Sequence, residues 1–521
     1  MQPDARIADY LAALRRHGPV AAWTGLQAEL QRVPPAAGQW PNLIEALLRA
    51  GLPGPAATLA EQALQEQPQD LALRYLLGHA LLRAGERGGA ERELRAVLAV
   101  QPRHLGAALA LAQLLRSEGR LQAAAQLALD ALPSDAARPQ LLQTLGFLRE
   151  CAAPRAALML VQRALTAAPA DAELHAVAGE LAAELGRNAQ ACVHLRRALD
   201  ADPQQSGGWL QLAAAQRPGQ PALEDMQRIA QAARALPLDS SAGCAARFAQ
   251  AQLLAERGEI AAAVPLLRAA NGSLHLQAQW SAQGFARFVQ QQREQSPPVP
   301  VAQRLDFIPV LLVGLPRSGA GLLAQLLARQ PRVRVRSASD WLARMALHVA
   351  TGAQTPAHIA EASALSIAQL RRDDGAGGVV LDANPLNFRH LGLAAALLPG
   401  LRVIHCRRDA RGAALSLWRH LSLLPDTGWS RDFADIGAFA RGAQALMAHW
   451  QRTLALPLYA LDCGCLFVQP HAVLTEVHEF LGLSQADTAP APAALRAAAR
   501  DAWQAWLPYL PELAALPPAW T

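Results

Sequence analysis

Val310-Leu-Leu-Val-Gly314-Leu-Pro-Arg317-Ser318-Gly319-Ala320-Gly321-Leu322-Leu323 runs from an unbroken apolar stretch, through a glycine-bearing turn, into a leucine-rich segment. The apolar run reads as a buried strand, Gly314 and Gly319 bracket a tight turn, and the residues from Ala320 onward read as the start of a helix. Such a turn gathers backbone N–H groups and a helix N-terminus around one point, which suits an anion. An ordinary strand-to-helix connection has the same outline, so the turn alone leaves two readings open. Gly314 and Gly319 have the spacing of a Walker A loop, but Ala320 and Gly321 stand where Lys and Ser/Thr are needed, which argues against an ATPase or kinase. The chain contains no lysine at all, so its 48 basic residues are all arginine. Schiff-base chemistry and any lysine general acid are therefore excluded.

Downstream of this segment, short runs rich in Val and Ile (307–313, 379–381, 401–406 and 456–461) alternate with helical stretches. That grammar predicts an α/β domain with a parallel sheet. Upstream the pattern is different. Gly51, Gly85, Gly119 and Gly186 lie 34, 34 and 67 residues apart, the last interval being close to two periods of 34. Pro68, Pro102, Pro169 and Pro203 keep the same step, and Gly78, Ala112, Gly146 and Gly179 supply small residues where paired helices would approach closely. This is helical-repeat arithmetic. The reading divides the chain into a helical cap (1–50), repeats (51–217), atypical repeat-like helices (218–293), a Pro-rich linker (294–300) and an α/β domain (301–521). Gly258-Glu259 is expected to form another turn between helices.

A chain of 521 residues, 52% of them apolar, can bury more than one core. No run of 18 apolar residues is present, so no membrane span is expected. Met1-Gln-Pro-Asp-Ala-Arg lacks the basic start and apolar core of a secretory signal, giving the expectation of a cytoplasmic protein. The six cysteines are scattered, and neither a disulfide framework nor a four-ligand zinc site is suggested. A net charge of +6, with arginine spread along the helices, does not imply nucleic-acid binding.

Two further segments bear on chemistry. Leu401-Arg-Val-Ile-His-Cys-Arg407-Arg408-Asp-Ala-Arg411-Gly-Ala-Ala-Leu-Ser416 again runs from strand to helix, with Arg408 and Ser416 eight residues apart. About two helical turns separate them, so both can face an anion near the helix start. Between the two anion-binding candidates lies Val380-Leu-Asp382-Ala383-Asn384-Pro385-Leu-Asn387.

Taken together and in this order, the three segments resemble the bacterial tetratricopeptide-repeat (TPR) sulfotransferases, relatives of the tyrosylprotein sulfotransferases. The loop 317–322 is similar to the 5′-phosphosulfate loop, usually Pro-Arg-Ser-Gly-Thr-Thr-Leu-Leu, and Arg408/Ser416 to the 3′-phosphate site. The 382–387 stretch is similar to an Asp-Lys-Asn-Pro-x-Asn motif. The resemblance implies an N-terminal TPR solenoid with a concave groove, followed by a P-loop-like α/β sulfotransferase domain. It also implies 3′-phosphoadenosine 5′-phosphosulfate (PAPS) as co-substrate with PAP as product, no metal in the transfer step, and a protein or peptide at the TPR groove.

On that basis Arg317, Ser318, Gly319, Ala320, Gly321 and Leu322 would bind the phosphosulfate, and Arg408 and Ser416 the 3′-phosphate. A Glu about twenty residues beyond the loop serves the tyrosylprotein enzymes as general base, and Asp340 occupies the matching place here; a helix-capping role for Asp340 is equally open. The sequence also departs from the family pattern. Ala320-Gly321 replaces the Thr pair, Ala383 replaces the Lys, and Cys463-Gly-Cys465-Leu466 stands where a Tyr-Glu-Asp-Leu-like stretch is expected. Arg496, Arg500 and Trp503-x-x-Trp506 are what remains of the nucleotide-contacting C-terminal segment. Two functions are consistent with this: a sulfotransferase acting on a hydroxyl acceptor such as protein tyrosine, or a TPR scaffold whose sulfotransferase-like domain no longer turns over.

Overall fold

The structure, a computed structural model, describes residues 12, 16, 19–32, 37–133, 136–216, 220–336, 340–351, 355–372, 378–422, 427–483 and 503–516. Its 34-residue rhythm is a rhythm of helix ends. Helices Pro53–Glu66, Arg87–Val100, Pro154–Ala167 and Asn188–Ala201 each stop two residues before the periodic prolines, because a proline drives its preceding residue out of helical geometry. After three of the four prolines the next helix then starts on a side-chain cap, the helix Ser206–Ala214 being the exception. Asp70 accepts from the Ala72 and Leu73 amides at 2.8 and 3.0 Å, and Asp171 accepts from Leu174 at 3.0 Å. His104 fills the corresponding place with Nδ1, 3.0 Å from the Ala107 amide.

The glycines of the period occupy the left-handed region that ends a helix, with φ of 76°, 85°, 74° and 71° at Gly51, Gly85, Gly119 and Gly186. Ala152 accounts for the doubled interval between Gly119 and Gly186, because it takes the same turn at φ 51° with a methyl group attached. An exposed alanine in this conformation costs about 1–2 kcal/mol that glycine avoids, part of it offset by glycine's looser unfolded chain. Ala152→Gly is therefore expected to raise stability by roughly 0.5–1 kcal/mol in a urea titration; a loss of stability would contradict the assignment of this turn. The small residues act unevenly. A Cβ at Gly78 would meet Leu94 at 2.9 Å and one at Gly179 would meet Leu195 at 2.6 Å, whereas one at Gly146 would meet nothing within 4 Å.

The chain divides into two compact units, Met1–Leu160 and Val161–Thr521. The first consists of helix hairpins such as Leu71–Ala84 with Arg87–Val100, burying Leu73, Leu77, Leu81, Leu94 and Val97. In the second, the helices from Ala172–Glu184 to Ala282–Glu294 share one hydrophobic core with the α/β part, from Leu195 and Phe248 through Phe285 to Phe439, Trp418 and Leu513. Phe285 stacks on Phe439 with centroids 4.5 Å apart, and Asn271 Nδ2 donates to the Trp418 carbonyl at 3.0 Å. The 294–300 stretch ends a helix at Glu294 and lies inside this unit; just beyond it, the Val301 amide bonds to the Ala396 carbonyl at 3.1 Å. Gly258, at φ 80°, turns the chain between helices Ser241–Glu256 and Ile260–Gln277.

Five strands, β1 (Ile308–Gly314), β2 (Val333–Arg336), β3 (Val379–Asp382), β4 (Arg402–Arg407) and β5 (Leu458–Asp462), pair in the order β2-β3-β1-β4-β5. Every pairing is parallel. Both faces are covered, one by Leu323, Leu327 and Val477 and the other by Phe388, Leu391 and Leu415, as a parallel sheet requires. β2 is the strand that no apolar run announces, because Arg334 and Arg336 alternate with its valines. The chain leaves β1 toward β2 on one side of the sheet and leaves the adjacent β4 toward β5 on the other. A crevice at the carboxyl ends of such a strand pair is where open α/β sheets hold ligands. No helix among the described residues is long and apolar enough to cross a membrane.

Candidate functional site

The loop after β1 and the segment after β4 leave the sheet side by side. Arg317 adopts φ 69°, an uncommon conformation for a residue with a side chain. Such strain, of order 1–3 kcal/mol, persists where surrounding contacts hold it and concentrates at binding sites. The contacts here come from both segments. Arg317 Nε donates to Ser416 Oγ at 3.0 Å, and Arg408 NH1 donates to the Arg317 carbonyl at 3.4 Å. Arg408 and Ser416 thus meet through Arg317, and two guanidinium groups gather at the carboxyl end of the β1/β4 pair.

Ser318 is buried and its hydroxyl is engaged in closing the turn, donating to the Leu315 carbonyl at 2.6 Å. What this residue offers an anion is backbone. Helix Ala320–Leu327 follows, with the Leu322 and Leu323 amides both bonded to the Gly319 carbonyl at 3.0 Å. The amides of Ala320 and Gly321 are the first of the helix and have no intrahelical acceptor, so loss of the Thr pair removes hydroxyls and leaves these donors in place. Gly319 permits the approach of the loop to β5. Its φ is 111°, and a Cβ there would stand 2.6 Å from Cys463 Cβ. Cys463 is fully buried and its amide donates to the Arg407 carbonyl at 2.8 Å. The first cysteine of the Cys-Gly-Cys pair thus packs directly against the loop after β1.

After β4, Asp409 caps helix Ala410–Trp418 by accepting from the Gly412 amide at 2.8 Å, and Ser416 is buried on that helix. The Trp503–Trp506 turn lies against the same helix: Arg411 stands over the Trp503 ring at 5.3 Å and Arg419 over Trp506 at 4.3 Å. Arg496 and Arg500 lie outside the described residues.

Asp382, the last residue of β3, is fully buried and acts as a hub. It accepts from Trp341 Nε1, from the Asn384 amide at 2.8 Å and from Asn387 Nδ2 at 3.2 Å. Burial raises its carboxyl to about 6, although these hydrogen bonds and Arg372 pull the other way. Asn384 in turn caps the Pro385–His390 turn through the Leu386 amide at 3.1 Å. The Asp-x-Asn-Pro-x-Asn stretch is therefore a lock on local structure, and through Trp341 it ties the helix Trp341–Thr351 to the end of β3. Ala383 packs against the apolar core below the sheet.

Asp340 precedes that helix, exposed and paired with Arg344 one turn on. Its carbonyl accepts from the Arg344 amide at 2.9 Å. The structure thus joins Arg317, Arg408 and Ser416 by direct contact, and connects Asp340 to β3 through its chain neighbour Trp341. Neither Asp382 nor Cys463 was a site candidate from the sequence. Asp382 carried a signal, an acidic residue at a strand end in a predicted core, whereas Cys463 carried none.

Comparison with known proteins agrees with this architecture. A sulfotransferase family model matches residues 309–487, and a tetratricopeptide repeat model matches residues 47–103. An uncharacterized protein of Aquifex aeolicus (strain VF5) is 24% identical over an alignment of 197 residues that covers 34% of this chain and 26% of that protein. The chain thus spans about a quarter of the length of that relative. Among solved structures, a thermophilic TPR protein from Thermus thermophilus is 24% identical, aligned over 34% of this chain and 98% of its own, with a TM-score of 0.22. The C-terminal part of a TPR repeat-containing protein from Cytophaga hutchinsonii is 12% identical over 50% of this chain and 98% of its own, with a TM-score of 0.32. Scores this low say nothing about function. Residues 309–487, with their parallel sheet, match the sulfotransferase family as a domain, and the helical region before them carries TPR repeats.

Proposed function

We propose that the α/β domain transfers a sulfuryl group from PAPS to a hydroxyl acceptor. The observation that carries this reading is the Arg317–Ser416 contact, which joins the loop after β1 to the helix after β4. Anion-binding groups from two segments in one place suit a donor with phosphate at both its 3′ and 5′ positions. Gly319, at φ 111° and with no Cβ to meet Cys463, lets the loop close on the end of β5 and so supports its shape. When bound, PAPS supplies the activated sulfuryl group.

The chain's own residues do the rest. The amides of Ala320 and Gly321 and the Arg317 guanidinium hold the 5′-phosphosulfate, and they stabilise the charge left on the phosphate oxygen as its bond to sulfur breaks. Arg408 and Ser416 hold the 3′-phosphate. Asp340 accepts the acceptor's proton as the acceptor oxygen forms its bond to sulfur, so the products are a sulfate ester, PAP and a protonated carboxyl. Protein tyrosine is the acceptor class the family resemblance suggests, with the TPR array presenting it.

A second reading, a scaffold without turnover, is favoured by Ala383, a partly buried methyl against the core where the resemblance calls for a lysine. Radiolabelled sulfuryl transfer to a panel of tyrosine peptides separates the two. Asp340→Asn is expected to slow turnover by about 10²–10⁴ with PAP affinity unchanged. Equal rates for variant and wild type would return Asp340 to its ion pair with Arg344. Tight PAP binding without label transfer to any acceptor would favour the scaffold.

A further inference from the structure

Away from the β1/β4 edge, His348 and the pair His358 and Glu361 face each other from neighbouring helices, Trp341–Thr351 and Pro356–Arg371. One ligand atom from each of the three lies within 4.8 Å of the other two. We propose that these residues form a binding site for a divalent transition metal of the zinc class.

The ligand set fits such an ion. Two imidazole nitrogens are borderline donors and the carboxylate oxygen a hard one, a mixed set that zinc accepts, and three protein ligands leave a fourth position for water. The spacing also fits. His358 and Glu361 are three residues apart and so share a helix face. Thr355 caps that helix, its Oγ1 accepting from the His358 amide at 3.3 Å, which fixes His358 in the first turn.

The surroundings of His358 offer a partner for the ring nitrogen that a metal would leave unused. His358 Nε2 lies 3.3 Å from the His348 carbonyl oxygen. A proton on Nε2 makes that hydrogen bond and leaves the Nδ1 lone pair for a metal, the outer-partner arrangement found around ligating histidines. The two rings lie 4.6 Å apart at 45°. The second, independent observation is His348 Nε2, which is shut off from solvent and has no hydrogen-bond partner among the described residues. A buried polar nitrogen left in that state is costly, and a metal ion satisfies it. Filling the site draws the donors to roughly 3.3 Å from one another, the separation that metal–ligand bonds of about 2.0–2.1 Å impose on a tetrahedron. Small side-chain rotations achieve this because Glu361 is exposed and both rings lie near the surface. The consequence is a clamp between two helices, one of which begins beside Asp340 and is tied to β3 by the Trp341–Asp382 bond. The site itself does not depend on sulfuryl transfer.

The test uses the full-length chain stripped with a chelator and titrated with Zn²⁺ against a chromophoric competitor, with Co²⁺ as a spectroscopic probe. Wild type is expected to bind one Zn²⁺ and to melt at a higher temperature with it. The Co²⁺ form should show the intense visible bands of a four-coordinate ion. His358→Gln and His348→Gln should each weaken binding by more than the roughly 10–100-fold that outer partners alone are worth, and Glu361→Gln should weaken it less than either. Circular dichroism of the metal-free variants checks that they remain folded. Absence of stoichiometric Zn²⁺ binding by wild type would overturn the proposal. Equal binding by wild type and the His348→Gln/His358→Gln double variant would do so too, since the metal would then sit elsewhere.

Discussion

Gly319→Ala is expected to weaken PAP binding by about 30–150-fold while leaving the helical region of the chain folded. The added Cβ would meet Cys463 Cβ at 2.6 Å and Sγ at 3.0 Å, on a backbone at φ 111° that side chains rarely adopt. Cys463 cannot yield easily, because it is fully buried and its amide is bonded to the Arg407 carbonyl at the end of β4. The loop must move instead, carrying Arg317 away from Ser416. A misfit of about 2–3 kcal/mol, the upper part of the range for such backbone strain, converts to the stated loss at 1.4 kcal/mol per decade. Calorimetric titration reads the affinity. Adding Cys463→Gly removes the contact and should restore part of the binding, a recovery that general damage to the fold would not give.

Asp382→Asn is expected to change how stability depends on pH. Burial holds the Asp382 carboxyl at about 6, above its ordinary 3.8. Between those values the folded chain keeps a proton that the unfolded chain has released. This group's contribution to stability is therefore complete below about pH 4 and is lost as pH rises through 6. His390 and His405 act in the opposite sense: burial lowers both to about 4, so their contributions are lost as pH falls from 6.5 toward 4. The histidines mask the carboxyl in wild type alone, and the variant exposes it by difference. Wild-type stability minus that of Asp382→Asn should fall by on the order of 2–3 kcal/mol between pH 4 and pH 6.5, read from urea midpoints. A difference that stays constant with pH would mean that Asp382 titrates normally. Asp382→Ala goes further, stranding the Trp341 indole, the Asn384 amide and the Asn387 side chain without their acceptor. At about 1–3 kcal/mol for each unsatisfied buried donor, it is expected to unfold the domain or come close to it.

Much of this was legible in the residues. β1, β3, β4 and β5 follow from apolar runs bounded by turn residues, and the repeats from a period that prolines and glycines mark twice over. What stayed hidden did so for physical reasons. β2 is short and carries arginine at alternate places, so neither length nor hydropathy signals it. Ala152 hides one repeat boundary because a left-handed turn usually selects glycine. The sequence placed Arg317 and Ser416 at separate ends of the donor; their contact spans 99 residues and depends on β1 and β4 being neighbours in the sheet. The hub at Asp382 takes its Trp341 partner from 41 residues upstream, a distance over which no local pattern operates. Cys463 matters for its position under Gly319, which chemistry alone does not reveal.

The central claim is that the loop after β1 and the helix after β4 together hold a nucleotide with phosphates at its 3′ and 5′ positions. Calorimetric titration of the full-length chain with PAP, alongside Arg317→Ala and Arg408→Ala, tests it most directly. Binding in the micromolar range by wild type, lost in both variants while their melting temperatures stay near that of wild type, is the predicted result. Failure of the folded wild-type protein to bind PAP, or binding indifferent to both substitutions, would contradict it.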